Sequence, residues 1–501
     1  MNKINNSEII EFLKGLSDDI DDSGAPIAII LAAGHGKRIK SERSKMLHEI
    51  WGKATVVRVA NVVSETLQSK NQIIVVGIKA QQVAETIGKA KNRIFVLQKE
   101  QKGTGDAARE ALAILNKYRN ISDIYIFPGD IGLITPEVVS KFKSRFEESS
   151  SKMEILTGVY KGDPYENAYG RIVRVPEFDI SGIPSGEDQR NVIEIKEYKD
   201  IFAMQDRSSY DALYKGKKYR FSKEDLLNIN EYNTGVYAVD YKHIMSQISK
   251  LNPDNIPGEL YLTDVIPLFN QNNISVGAYP ADDNNTVIGF NVKSVLQKME
   301  SIYRRKVWVC LKDIIFIENP DDFYIADEVV EQILKLDSKF PSLDIIIGKG
   351  VHIGKGVKLN RGIIIKSGSI LDGNIILGEG SIIQENVSIG TCPHEEVSIG
   401  KNCVIMRGDI IKGNVTIGDG TRIENSVNMT GSDEYPIKIG NNVNIKGTSY
   451  IFGSEIEDDI LIEHSVLKCK RVKRTIKRDG NIQPVKWVVP PPQGLDIVTD
   501  L

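Results

Sequence analysis

The stretch IAIILAAGHGKRIKSERSKMLHEIWGK, Ile27–Lys53, sets the reading of the first half of the chain. A short apolar run, Ile27–Leu31, empties into a loop that carries Gly34, Gly36, Arg38 and Lys45. An apolar run of that length suits a strand buried on both faces. A glycine-rich turn after such a strand can aim several backbone N–H groups at one anion. Gly34 and Gly36 lack a Cβ, so the backbone can approach a phosphate, and Arg38 and Lys45 add full positive charge. The loop matches neither GxGxxG nor GxxxxGK[ST]. Taken alone, therefore, it remains either a phosphate cradle or a plain strand-to-helix turn.

Working outward, further short apolar runs at Gln72–Val76, Arg93–Leu97 and Asp123–Phe127 alternate with stretches of helical spacing at Ala54–Lys70 and Asp106–Tyr118. Strand–helix alternation predicts βαβ units and a mainly parallel sheet. Upstream, Ser7 to Leu16 has the pattern of a short amphipathic helix, and DDIDDSGAP reads as a linker.

Near Ile347 the period changes. Isoleucine or leucine recurs every sixth residue at Ile347, Ile353, Leu359, Ile365, Leu371, Leu377, Ile383 and Ile389. An insertion around TCPHEE shifts the phase, and the row resumes at Ile399 and again at Ile439. A sustained six-residue repeat fits a hexapeptide β-helix, whose flat sides suit packing as a homotrimer. The expected organisation is an N-terminal helix and linker (1–25), an α/β domain that catalyses or binds (26–305), a linker (306–345), a left-handed parallel β-helix (346–470) and a basic, proline-rich tail (471–501).

The 501 residues are 41% hydrophobic and 26% charged, ordinary values for a globular protein. A formal net charge of −3 provides no overall basic field for nucleic acid. Cys310, Cys392, Cys403 and Cys469 have no metal-ligand spacing and read as reduced thiols. The polar, acidic N-terminus lacks the apolar segment of a secretory signal, and no apolar run approaches membrane-spanning length. The expectation is a cytoplasmic protein without a membrane or nucleic-acid partner.

Ile27–Lys53 resembles the pattern L-A-A-G-x-G-x-R-x-x-S-x-x-x-K-x-L-H-x-I-x-G-K of the bacterial N-acetylglucosamine-1-phosphate uridylyltransferase (GlmU) family. Similar motifs follow in the family's order: LQKEQKGTGDA, PGDIGLI, AYGRIVR, VIEIKEYKD, EYNTGVYAV, GELYLTD and VIGFN. The resemblance implies a Rossmann-like nucleotidyltransferase domain joining UTP to N-acetylglucosamine 1-phosphate with Mg2+. Residue by residue it implies that Ala33, Gly34, Gln98, Gly103 and Thr104 hold the nucleotide. Arg38 and Lys45 would neutralise phosphate, Asp130 and Asn291 would hold magnesium, and Gly170, Glu197 and Asn233 would contact the sugar. His48 reads as structural.

The chain departs from the family in several places. Ser44 stands where the family has proline, and Gly132 interrupts the usual GDxPL. Insertions at Pro176–Arg190 and Ile201–Ile229 flank the sugar-side motifs and leave a different sugar 1-phosphate open. The β-helix lacks the family's acetyltransferase motifs HLSYLGD and NYDG. His394 is then the one candidate base for a divergent acyltransferase, while His352 and His464 read as face or turn residues. The basic stretch Leu467–Arg478 reads as a hairpin with a solvated face, with coenzyme A phosphates or an acidic partner as the alternative.

Overall fold

A computed structural model describes residues 6–34, 36–206, 208–253, 258–476, 479–481 and 483–488. The chain forms two compact units, Met1–Glu300 and Ser301–Leu501.

The first unit is built on a sheet with the central order Val276–Pro280, Met153–Val159, Glu231–Asp240, Asp123–Pro128, Ile27–Ala32, Gln72–Val76, Arg93–Leu97. Alternate residues of each strand serve opposite faces, as the pleat requires. Ile27, Ile29, Ile73, Val75, Ile124 and Ile126 pack with Ala107, Ala108, Ala111 and Leu112 of the helix Thr104–Ile114. Ala28, Ile30, Ile74, Val76, Tyr125 and Phe127 pack on the other side with Val56, Val59, Ala60 and Val63 of the helix Thr55–Thr66. Helices on both faces explain why these strands are continuously apolar rather than alternating.

The sheet is mixed, not mainly parallel throughout. Ile27–Ala32 runs parallel to both neighbours. Glu231–Asp240, however, runs antiparallel between Asp123–Pro128 and Met153–Val159. Parallel pairing needs a crossover over the sheet. The inserted segments before Glu231 pack in a small cluster with Val173, Val175 and Ile193, and among the described residues no crossover helix precedes Glu231–Asp240 to return it parallel to its neighbours. The N-terminal helix Asn6–Leu16 buries Leu13, and the residues after it cover the edge strand. The Asp18 N–H donates to the Arg93 carbonyl at 2.7 Å, and the Phe95 N–H donates to Ser17 Oγ at 3.0 Å. Covering an edge in this way blocks pairing with another chain.

The second unit is a left-handed parallel β-helix, in which the described residues form three sheets of eight, eight and seven strands. Ile347, Ile365 and Ile383 stack in one sheet, Ile353, Leu371 and Ile389 in the next. These side chains are at most 1% exposed, so the six-residue row is the interior of the coil. The coil starts before the repeat is legible. Phe316–Ile317 and Phe323–Ile325 already pair with Ile346–Ile347 and Val351–Ile353, and the helix Asp327–Asp337 follows them.

The basic stretch is not a hairpin. Val466–Lys468 and Arg471–Val472 lie in two different sheets, as successive sides of the last coil. Two-residue strands with a sharp corner between them alternate like a hairpin in sequence, which is why the pattern misleads. Arg471 pairs with Glu455 and Glu457, and Arg474 with Asp459 at 2.9 Å. Lys477 and Arg478 lie outside the described residues.

Candidate active site

The strands Ile27–Ala32 and Asp123–Pro128 are parallel neighbours and end at the same edge of the sheet. In doubly wound folds the crevice at the carboxyl ends of such strands, where strand order reverses, is where ligands bind. The loop from Ala33 and the turn Gly129–Asp130 both leave from this edge, and the Gly129 N–H donates to the Leu31 carbonyl at 3.0 Å.

Lys45 joins the two. It opens a short turn, Lys45–Leu47, and is 8% exposed, as is Asp130. Its ammonium forms an ion pair with the Asp130 carboxylate and donates to Asn291 Oδ1 at 2.9 Å. The Phe290 ring lies 5.5 Å away and presents its face to the charge. The carboxylate and the amide oxygen assigned to a metal by resemblance thus converge on one point, which an ammonium fills. A hard divalent cation prefers the same oxygen pair. Among the described residues there is no cluster of three or more His, Cys, Asp or Glu that could hold a metal. A cation held by Asp130 and Asn291 would keep positions open for phosphate.

Gly36 allows this approach. Its φ is +67°, and a Cβ built on it would lie 2.8 Å from Lys45 Cβ. Gly36→Ala combines left-handed strain with displacement of Lys45. Turnover is expected to fall by roughly 10-fold to 100-fold, since small misplacements of a reacting group carry penalties of that order. Steady-state kinetics would show it, and a thermal midpoint lowered by a few degrees would report the strain. Ala33 is buried with its carbonyl against Gly77, while Gly34 is exposed and a Cβ on it would lie 3.8 Å from Met46 Cε, an ordinary contact. His35 lies outside the described residues. Arg38 is exposed, and it lines a cavity of about 580 Å³ with Asn291, Tyr160, Lys161 and Tyr169. Arg38 thus shares a chamber with Asn291 and makes no direct contact with Asp130 among the bonds described.

On the base side, Gln98 follows the strand Arg93–Leu97 and is buried. Its amide nitrogen donates to the Gly103 carbonyl and to Asp106 Oδ2, each at 3.0 Å. Both amide hydrogens are used, which leaves Oε1 as its acceptor. Asp106 is itself held by Arg109 at 2.5 Å. Nothing in the sequence singled out Asp106, whose role depends on side-chain geometry. Gly103 has φ +111°, and a Cβ there would collide with the Leu260 carbonyl. Thr104 Oγ1 accepts from the Leu262 N–H at 3.1 Å. Gly103 and Thr104 therefore lock the GTGDA turn onto the LYLTD segment.

On the third side, Gly170, Glu197 and Asn233 come together. Arg171 pairs with Lys196, and the Asn233 N–H donates to the Gly170 carbonyl at 2.9 Å. A Cβ on Gly170 would lie 3.2 Å from both carboxylate oxygens of Glu197. Asn233 Oδ1 accepts from the Gly235 N–H at 2.9 Å and from the Tyr237 hydroxyl at 3.0 Å, so its NH₂ is the group left to donate. Burial, and after it the negative charges of Asp200 and Asp264, push the Glu197 carboxyl up to about 7. Tyr169 stacks on Tyr232 at 4.5 Å and donates to the Gly289 carbonyl at 3.1 Å. It ties this side to the segment before the helix Lys293–Leu311, which carries Asn291. Arg171, fully buried, clasps the carbonyls of Pro164, Asn167 and Tyr169 and shapes that loop.

His48 meets Phe290 edge-on at 6.1 Å, and burial lowers its pKa. In the second unit, His352 stacks on Tyr324 at 4.4 Å. His394 is exposed and 3.2 Å from Asp433 of the next inserted loop, TGSDEY.

With this geometry in place, residues 28–178 match the family model of the MobA-like NTP transferase domain. The bifunctional protein GlmU of Streptococcus uberis is 33% identical over 306 residues, covering 60% of this chain and 57% of that protein. The corresponding protein of Exiguobacterium sibiricum is 32% identical, covering 60% and 59%. Over that stretch the chain is similar to GlmU proteins. It spans a little over half the length of the GlmU proteins it matches. A solved UDP-glucose pyrophosphorylase in complex with UDP-glucose aligns over 56% of this chain and 99% of its own, at 15% identity and a TM-score of 0.39. Among the described residues no helix is long and apolar enough to cross a membrane.

Proposed function

We propose that the chain is a uridylyltransferase that forms UDP-N-acetylglucosamine and pyrophosphate from UTP and N-acetylglucosamine 1-phosphate. The observation that carries this reading is the buried ammonium of Lys45 held between Asp130 and Asn291 at the strand edge. The similarity to GlmU proteins and to NTP transferase domains supports it.

Both reactants are anions. A phosphate oxygen of the sugar 1-phosphate attacks the α-phosphorus of UTP, the bond to the β-phosphate oxygen breaks, and pyrophosphate leaves with the electron pair. No proton needs to move, so the protein's task is charge neutralisation and alignment. Lys45 supplies charge at the reacting phosphorus, and Arg38 supplies it from the adjoining cavity. Magnesium, held by Asp130 and Asn291, would add positive charge beside the phosphate oxygens. Gln98 offers Oε1 to the N3–H of uracil; cytosine presents an acceptor at that position and would be refused. Asn233 NH₂ and the Glu197 carboxylate meet sugar polar groups.

Pyrophosphate release across four nucleoside triphosphates and a panel of sugar 1-phosphates tests the assignment. The expected preference is UTP with N-acetylglucosamine 1-phosphate; a clear preference for another sugar would retain the nucleotidyltransferase and replace the sugar. A second expectation concerns pH. An ionised Glu197 accepts hydrogen bonds and a protonated one accepts fewer. Ionisation through a midpoint near 7 therefore strengthens sugar binding as pH rises. Between pH 6 and 8 the KM for the sugar phosphate should fall by roughly tenfold, and Glu197→Gln should flatten that dependence.

A further inference from the structure

The two inserted segments form one module, and its attachment points are residues of the sugar side. Gly170 precedes the strand Arg171–Arg174 and Glu197 follows its partner Val192–Lys196, so the two sit at one end of an antiparallel pair. The insertion Pro176–Arg190 closes the opposite end of that pair. The insertion Ile201–Ile229 leaves just after Glu197 and returns just before Asn233.

The module has its own hairpin, Ser209–Tyr214 with Lys217–Ser222, turned by Lys215 and Gly216, both at positive φ. A helix follows, Lys223–Asn228, opened by a capping box of Ser222 and Asp225. Ile201, Ala212, Tyr214, Tyr219, Phe221, Leu226 and Leu227 pack onto Val173, Val175 and Ile193 of the strand pair. The first insertion is bonded to the second: the Ile180 N–H donates to the Lys218 carbonyl at 3.1 Å, and Lys215 pairs with Asp188 at 2.9 Å.

A polar contact runs from the hairpin to the strand that ends just before Glu197. The Tyr210 hydroxyl donates to Glu194 Oε2 at 2.9 Å, and Lys196 Nζ lies 4.1 Å from the centroid of the same ring. The other carboxylate oxygen of Glu194 is buried and makes no hydrogen bond. The Tyr210 hydroxyl is therefore its one side-chain hydrogen-bond donor among the described residues. Without it, a buried carboxyl would be left unsatisfied three residues before Glu197, and the strand end would have to move or the group take up a proton.

We propose that the paired insertions are a sugar-selectivity element and that Tyr210 is its positioning residue, holding the Glu194–Lys196 strand so that Glu197 faces Gly170 and Asn233. The proposal rests on the uridylyltransferase reading.

The test is steady-state kinetics of the full chain carrying Tyr210→Phe, with UTP and the sugar 1-phosphate that the unaltered chain uses best. The phenyl ring keeps the packing and the contact with Lys196, so only the hydroxyl is lost. The KM for the sugar phosphate should rise roughly fivefold or more, with the KM for UTP and kcat within about twofold. The double variant Tyr210→Phe/Glu194→Leu removes both polar partners and should bring the sugar KM back to within about threefold of the starting value. Equal KM values in the unaltered and Tyr210→Phe chains would overturn the proposal, as would a uniform loss in kcat and both KM values. Failure of the unaltered chain to turn over any sugar phosphate would instead remove the functional reading, and this inference with it.

Discussion

Lys45→Ala is expected to lower turnover by roughly 10²-fold to 10³-fold, the range seen when one preorganised charge-stabilising donor is removed. The effect is large because the ammonium is buried, and a charge in a water-poor site acts at close to full strength. The same substitution should tighten magnesium binding. Lys45 Nζ fills the point on which Asp130 and Asn291 converge, so a metal held there would compete with the ammonium for one oxygen pair. A magnesium titration followed by kinetics should therefore saturate at lower concentration in Lys45→Ala, while kcat stays depressed. A substitution that only damaged the fold would weaken both.

Asp130→Asn is the second large effect. The amide keeps the volume and can still accept from Lys45, but it removes the carboxylate bonded to that ammonium. Turnover should drop by roughly 10³-fold, equivalent to about 4 kcal/mol of transition-state stabilisation. Added magnesium should not restore it. Asp130 is almost completely buried beside Lys45, and an unpaired buried charge is destabilising, so the thermal midpoint should fall as well. The ratio of kcat in Asp130→Asn to that in Lys45→Ala then separates metal holding from direct charge neutralisation.

The β-helix was legible because its interior accepts one kind of residue at one interval: Ile347, Ile353 and Ile365 are all 0% exposed. Its first coil was not, since Phe316–Ile317 and Phe323–Ile325 are followed by a helix and no repeat marks them. The parallel core of the first unit followed from apolar runs covered on both faces. The antiparallel strand Glu231–Asp240 did not, because pairing direction depends on the path of the connection and not on the strand's own residues. At the site, Lys45 and Asn291 are 246 positions apart in sequence. No spacing argument joins such residues, and resemblance alone placed them together. Asp106 against Gln98 and Tyr210 against Glu194 are side-chain contacts between elements, and neither pattern nor resemblance pointed to them.

The most direct measurement is product analysis after the full chain is incubated with UTP, N-acetylglucosamine 1-phosphate and magnesium. If, as proposed, Lys45, Arg38 and a metal at Asp130 and Asn291 supply the charge that joins two anions, the products are UDP-N-acetylglucosamine and pyrophosphate in equal amounts, with formation stopped by chelation. No nucleotide sugar from this pair or from any other sugar 1-phosphate, or formation undiminished after the metal is removed, would contradict the account.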